Sequence, residues 1–168
     1  FTEDELCRHM DVSAELGIET ANVDVAWVRG HHPRSHGNWP EDPDKWPSGI
    51  EAFAEHARAK GIGLGLFIEM EVVAEGTDFW NEKPHLLFPD PKKGAHDFKF
   101  VGFRYRLMNY ALPETCDTVF EMVSGLIERL KLRYIHWECD QAPLPTWQAV
   151  DPTGKIQFAF YEGLYSVW

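Results

Sequence analysis

The sequence predicts an α/β fold, a partial TIM-type (β/α)8 barrel of about four parallel strands with their helices. Three observations lead there. Helical and strand-like patterns alternate along the 168 residues. The strand candidates are short, nearly continuous apolar runs, as expected of strands covered on both faces. Neither a G-x-G-x-x-G nor a G-x-x-x-x-G-K-[ST] phosphate loop is present, which removes the main support for a nucleotide-binding doubly wound sheet. A closed barrel needs eight strands and about 250 residues, so the chain is read as a single partial barrel domain over 1–168, truncated at both ends. It opens on Phe1 instead of Met, and it stops inside an apolar pattern at Tyr165-Ser166-Val167-Trp168.

Each element has its own local signal. Thr2, followed three residues later by Glu5, is a capping box. Leu6, Met10, Ala14 and Leu16 then recur at helical spacing up to Gly17. Residues 18–27 read as the first strand, and the Pro- and Trp-bearing loop 29–48 follows, long enough to suggest a functional role. Residues 50–60 form a helix with Ile50, Phe53, Ala54 and Ala57 on one face and Gly61 closing it. Residues 62–68 make the second strand, running straight into Glu69 and Glu71. A loop is expected over 84–99 and a third strand over 105–110. Pro113 suits a helix start, and Val119, Met122, Val123, Leu126, Ile127 and Leu130 supply that helix's apolar stripe. Residues 132–137 form the fourth strand, terminating in Glu138 and Asp140. Gly163, Leu164 and Tyr165 belong to a last helix.

Composition narrows the partners. A net charge of −11 disfavours nucleic acid and anionic membrane surfaces. No apolar run approaches the roughly 18 residues that span a bilayer. Three widely spaced cysteines, Cys7, Cys116 and Cys139, indicate neither a disulfide framework nor a metal site, and they favour a reducing, cytoplasmic setting. No cofactor motif is present.

In a β/α barrel the chemistry is built at the C-terminal ends of the strands. Those ends deliver Asp24, Glu69 with Glu71, Asn109, and Glu138 with Asp140, in the company of Trp27, Trp39, Trp46 and Trp137. Carboxylates that bind paired hydroxyls and indoles that stack on an apolar ring face suit a sugar. Against this, any single strand-end acid is more often a cap or an ion-pair partner. His31, His32 and His36 read as solvated loop histidines and not as metal ligands. Residues 41–44 lack calcium-loop spacing. His136 suits either a core hydrogen bond or a substrate contact. Cys139, between two acids, is no nucleophile.

Several segments, in order, resemble the melibiase-type α-galactosidases of glycoside hydrolase family 36. Val23-Asp24-Val25-Ala26-Trp27 is similar to that family's D-(D/A)-G-W strand end. Gly37-Asn38-Trp39 through Asp44-Lys45-Trp46-Pro47-Ser48-Gly49 resembles its G-(D/N)-W…P-x-G loop. Gly65-Leu66-Phe67-Ile68-Glu69-Met70-Glu71-Val72-Val73 resembles G-L-W-x-E-P-E-x-V, and Met108-Asn109-Tyr110-Ala111-Leu112-Pro113-Glu114 resembles L-(D/N)-L-x-x-P-E. Residues 134–140 resemble the strand carrying the nucleophile in (K/R)-(W/Q)-D-x-N, and Gly163-Leu164-Tyr165 matches a G-L-Y.

The resemblance implies retaining hydrolysis of terminal α-galactosidic bonds in oligosaccharides, with no cofactor. It places Glu138 at the nucleophile position, where the family has Asp, with Asp140 as the alternative. It implies Asp24, Trp27, Trp39, Phe67, Glu69, Asn109 and His136 as substrate-binding residues. The acid/base residue would lie beyond Trp168, so the isolated chain should be inactive, and the full-length protein is taken as a homo-oligomer. Four departures carry weight. Glu138 is one methylene longer than Asp, and a misplacement of roughly 1 Å can cost about 10²-fold in rate. Val25 and Ala26 remove a sugar-binding acid, Phe67 replaces a stacking Trp, and His136 replaces a basic residue. These departures motivate an alternative, a non-catalytic or altered-specificity sugar-binding paralogue on the same fold.

Overall fold

The computed structural model describes residues 1–30, 35–37, 39–89, 104–139 and 143–168. In chain order its elements are α1 (Glu3–Glu15), β1 (Thr20–Val23), α2 (Ile50–Ala59), β2 (Gly63–Ile68), β3 (Val72–Ala74), α3 (Asp78–Glu82), β4 (Tyr105–Leu107), α4 (Pro113–Leu130), β5 (Tyr134–Trp137), α5 (Leu144–Val150) and α6 (Lys155–Val167). They fall into two compact units. The first takes Phe1–His32, Trp39–Ile68 and Val123–Glu138; the second takes Pro33–Asn38, Glu69–Met122 and Cys139–Trp168.

The first unit is a parallel sheet in the order β1-β2-β5. α1 begins with the expected capping box: Glu5 N donates to Thr2 Oγ1 at 3.3 Å and Thr2 N to Glu5 Oε2 at 2.8 Å. Met10 is buried beneath it, whereas Leu16 caps the helix and is exposed. α2 buries the four apolar residues its spacing singled out and ends at Gly61, whose φ of +79° suits a residue without a Cβ. Asp11 of α1 ties to α2 and its cap through His56 Nε2 at 2.9 Å and Lys60 Nζ at 2.8 Å.

β2 is the middle strand. Residues 20–23 pair with 63–66 on one side and residues 134–137 with 65–68 on the other, both parallel. Strand side chains alternate between faces. Leu64, Leu66 and Ile68 are fully buried and share one face, and Leu64 lines a hollow with Ala54 of α2 and Leu130 of α4. Gly63, Gly65 and Phe67 share the other face with Asn22, Tyr134 and His136. The glycines there are obligatory: a Cβ on Gly65 would sit 2.9 Å from Tyr134 Cδ1, and one on Gly63 would sit 2.9 Å from Arg133 Cβ.

The second unit corrects the four-strand expectation. Residues 105–107 do not join the parallel sheet. They pair antiparallel with β3, Val72 opposite Leu107 and Ala74 opposite Tyr105. β5 takes the second edge of β2, and β4 finds its backbone partners on β3, a strand too short to show a period. Phe88 N donates to Leu107 O, and Asn109 N to Leu86 O, both at 2.8 Å, extending the ladder. Arg106 satisfies three carbonyls of the 84–88 turn, those of Phe88, Pro84 and Leu87, with its guanidinium over the Trp80 ring.

Around Phe160 of α6 a cluster of Phe88, Tyr110 and Trp147 rings forms the second unit's core, with centroids 5.1 to 6.2 Å away. α6 reaches it by close approach at Gly163, where a Cβ would lie 1.7 Å from Tyr110 O. Among the described residues, no helix is long and apolar enough to cross a membrane.

Candidate functional site

In the first unit the parallel strands carry their C-terminal residues to one edge. Residues 18–27 were expected to be one strand, but β1 stops at Val23. Asp24 caps a single 3-10 turn over Val25–Trp27, its Oδ1 accepting from Val25 N at 2.6 Å. That is the capping role the residue type also predicted. The carboxylate is exposed at the strand end with its second oxygen outside this bond.

Trp27 requires a correction as a substrate platform. It is 1% exposed. Its Nε1 donates to Phe67 O at 2.7 Å, and its own carbonyl accepts from Trp46 Nε1 at 2.9 Å. The indole therefore fastens the end of β1 to the end of β2 and to the following loop, and it offers no open face to a sugar. Trp46 is equally a packing residue, held between Phe1 and Phe53 at 5.7 and 5.1 Å. Trp39 is different. It is buried, yet its Nε1 has no hydrogen-bond partner, a rare state for a buried donor.

Glu138 follows β5 directly and extends its ladder, Glu138 N donating to Ile68 O at 3.0 Å. Its carboxylate is half-buried and has no hydrogen-bond or ion-pair partner among the described residues. Two residues back on the same face, His136 stands between two rings: edge-on to Phe67 at 5.3 Å and stacked on Tyr134 at 6.4 Å. It makes no hydrogen bond among the described residues, so of its two expected roles the core hydrogen bond is not the one the structure displays. Phe67, Tyr134 and His136 thus form an aromatic ladder leading up to Glu138. Tyr134 was not singled out by the sequence, because its neighbours across the sheet are defined only by register. Asp140, His31, His32 and Asn38 lie outside the described residues.

The second unit holds a separate cluster. Glu69 and His36 are both buried, with His36 Nε2 3.3 Å from Glu69 Oε2. This corrects the reading of His36 as a solvated loop histidine. Backbone pairing brings it inside: Ala74 N donates to His36 O at 2.8 Å, fastening residues 35–37 to β3. The Tyr105 ring lies 6.0 Å from His36, and its hydroxyl pKa is pushed up to about 12, first by burial and then by the Glu69 charge. Glu71 is buried beside Tyr110, whose pKa is raised by burial and then by Glu71. The Tyr110 hydroxyl donates to Met70 O at 2.8 Å. Asn109 sits at the end of β4, its Oδ1 accepting from Ala111 N at 3.2 Å, so its side chain shapes the turn into α4. Among the described residues no three potential metal ligands come together.

Comparison with known proteins places this arrangement. The chain is 24% identical over 143 residues to α-galactosidase AgaA of Geobacillus stearothermophilus, covering 84% of this chain and 19% of that protein. It is 24% identical over 173 residues to α-galactosidase Mel36A of Lactobacillus acidophilus, covering 99% of this chain and 23% of that one. The crystal structure of the Lactobacillus brevis α-galactosidase superposes with a TM-score of 0.80 at 28% identity, covering 99% of this chain and 23% of its own. AgaA variants have been crystallised with raffinose and with stachyose. The chain thus spans about a fifth of the length of these relatives. The melibiase family model matches residues 1–168, the whole sequence, and the chain belongs to the melibiase family.

Proposed function

We propose that the protein containing this chain hydrolyses terminal α-galactosidic bonds in oligosaccharides with retention of configuration. In this reading residues 1–168 are part of one catalytic (β/α)8 barrel that further strands complete. The observation that carries it is Glu138: a half-buried carboxylate at a parallel strand end, without a protein partner among the described residues, above the ladder of Phe67, Tyr134 and His136. A carboxylate so placed is available to attack an anomeric carbon; one locked in an ion pair would not be.

Glu138 is then the nucleophile that forms the glycosyl-enzyme bond, with Asp140 as the alternative. The acid/base carboxyl comes from outside this chain, about 5 to 5.5 Å from the nucleophile, as retention requires. His136 and the free oxygen of Asp24 bind sugar hydroxyls. Trp39, whose buried Nε1 is unpartnered, belongs to this reading as a further substrate-binding residue. Glu69 and Asn109 belong to the same reading as substrate-binding residues. No cofactor is required. The protein is taken as cytoplasmic, and as a homo-oligomer at full length.

A second reading, a sugar-binding paralogue with altered specificity or without catalysis, draws on Phe67 in place of a stacking Trp and on the longer acid at 138. Turnover of a nitrophenyl α-galactoside by the full-length protein separates the two. The hydrolase reading expects turnover that Glu138→Gln lowers by more than about 10³-fold. Galactose binding without turnover, or turnover indifferent to Glu138→Gln, would overthrow it.

A further inference from the structure

We propose a second binding site, for a small phosphate ester, in a hollow of about 270 Å³ at the N-terminal edge of the parallel sheet. Three cationic side chains, Arg58, Lys131 and Arg133, line it, and none of its lining residues is acidic. The chain has 27 acidic residues against 16 lysines and arginines, so a hollow lined by cations with no acid beside them stands out. Among the described residues Lys45, Lys60, Arg104 and Arg129 have a carboxylate partner. Arg58, Lys131 and Arg133 have none among the described residues, nor any side-chain hydrogen bond. Three unpartnered cations around one hollow make a positive field suited to a doubly charged anion.

The bland explanation is that these cations serve the carbonyl ends of α2 and α4, which meet at this edge. Three of the last four carbonyls of α2, and Ile127 O of α4, already accept backbone hydrogen bonds. Lys60 N, Gly61 N and Ile62 N turn back onto His56, Ala57 and Arg58 oxygens, and Leu132 N donates to Ile127 O at 3.1 Å. Lys131 adds an internal contrast. The residue just past α2 is Gly61, at φ +79°; the residue just past α4 is Lys131, at φ +54°, a conformation that favours glycine. A side chain is kept where none is preferred, and it lines the hollow.

The floor is apolar, built from Ile62, Leu64 and Leu130, and the space exceeds what a lone phosphate would fill. The ligand is therefore a phosphate carrying an apolar body. The site lies at the opposite end of β2 from Phe67, four residues or roughly 13 Å along the strand. It is independent of the sugar site.

Calorimetric titration of the full-length protein with phenyl phosphate, inorganic phosphate and phenol tests this. Phenyl phosphate should bind saturably, at least ten-fold more tightly than inorganic phosphate, with no saturable heat from phenol, and added potassium chloride should weaken it. Lys131→Gly, which suits the local backbone, and Arg133→Gln should each raise Kd at least ten-fold while α-galactoside turnover stays at the wild-type rate. Absence of saturable phenyl phosphate binding, or binding untouched by both variants, overturns the site. Equal affinity for inorganic phosphate overturns the ester assignment.

Discussion

Gly163→Ala places one methyl group where α6 meets the turn before α4, and the geometry sets its cost. The added Cβ would lie 1.7 Å from Tyr110 O, 2.8 Å from Tyr110 C and 3.0 Å from Cys116 Sγ. Ordinary contacts to a carbonyl oxygen are beyond 3 Å, so α6 or the turn must move by more than about 1 Å. Neither can do so alone. Tyr110 is held by its hydroxyl on Met70 O, Cys116 Sγ lies 3.4 Å from Tyr110 O, and Phe160, one turn earlier on α6, is wedged among Phe88, Tyr110 and Trp147. Overpacking of this kind costs about 1–3 kcal/mol, and this site should reach about 3. For a folding domain of about 150–250 residues that is a fall of roughly 6–12 °C in melting temperature. Gly125→Ala is the matched control. It is a helical, exposed glycine with nothing within 4 Å of the added Cβ, and it should stabilise by about 0.5–1 kcal/mol. Thermal melts of both variants in the full-length protein decide the matter. A Gly163→Ala melt within 1 °C of wild type would refute the close approach.

Trp27→Phe removes the donor to Phe67 O and should cost about 1–3 kcal/mol, the penalty of a buried carbonyl left bare. It should lower the melting temperature while leaving KM for an α-galactoside unchanged; a raised KM with unaltered stability would restore Trp27 as a sugar platform. Arg129 joins Glu41 and Glu51, and its hydrogen bond to Glu41 holds that carboxyl below its ordinary value of 4.5. A depressed folded-state pKa stabilises above the unfolded value and is lost as pH falls through the folded one. Wild type should therefore lose up to about 1 kcal/mol more than Arg129→Met between pH 6 and pH 3. Parallel stability curves for the two proteins would dismiss the clamp.

The sequence announced what depends on local periodicity and missed what depends on register. The capping box at Thr2, the buried face of α2, the apolar run of β2 and the start of α4 at Pro113 were all legible, because each is decided within a few residues. The antiparallel pairing of β4 was not, since three residues of strand carry no period and the competing edge of β2 is claimed by a strand far along the chain. The same distance hid the site's detail. His36 looks like a solvated loop residue until β3 draws its backbone inward to Glu69. Trp27 looks like a platform until Phe67 O is found at its indole nitrogen. Tyr134 becomes relevant only once Gly65 opposite leaves room for its ring. Glu138 could be placed at a strand end from sequence, while its lack of a partner is a fact of three dimensions.

The parallel pairing of Gly65 with Tyr134 also has a consequence for biosynthesis. About 70 residues separate the two partners, and a ribosome adding roughly 5–20 residues per second needs about 3–14 s to deliver the second after the first. During that interval β2 presents an apolar strand with one unpaired edge, while most of the second unit's residues are being made. Closure of the first unit's sheet is thus timed by translation and not by chain diffusion, and β2 is the segment of the nascent chain that most needs shielding until β5 emerges.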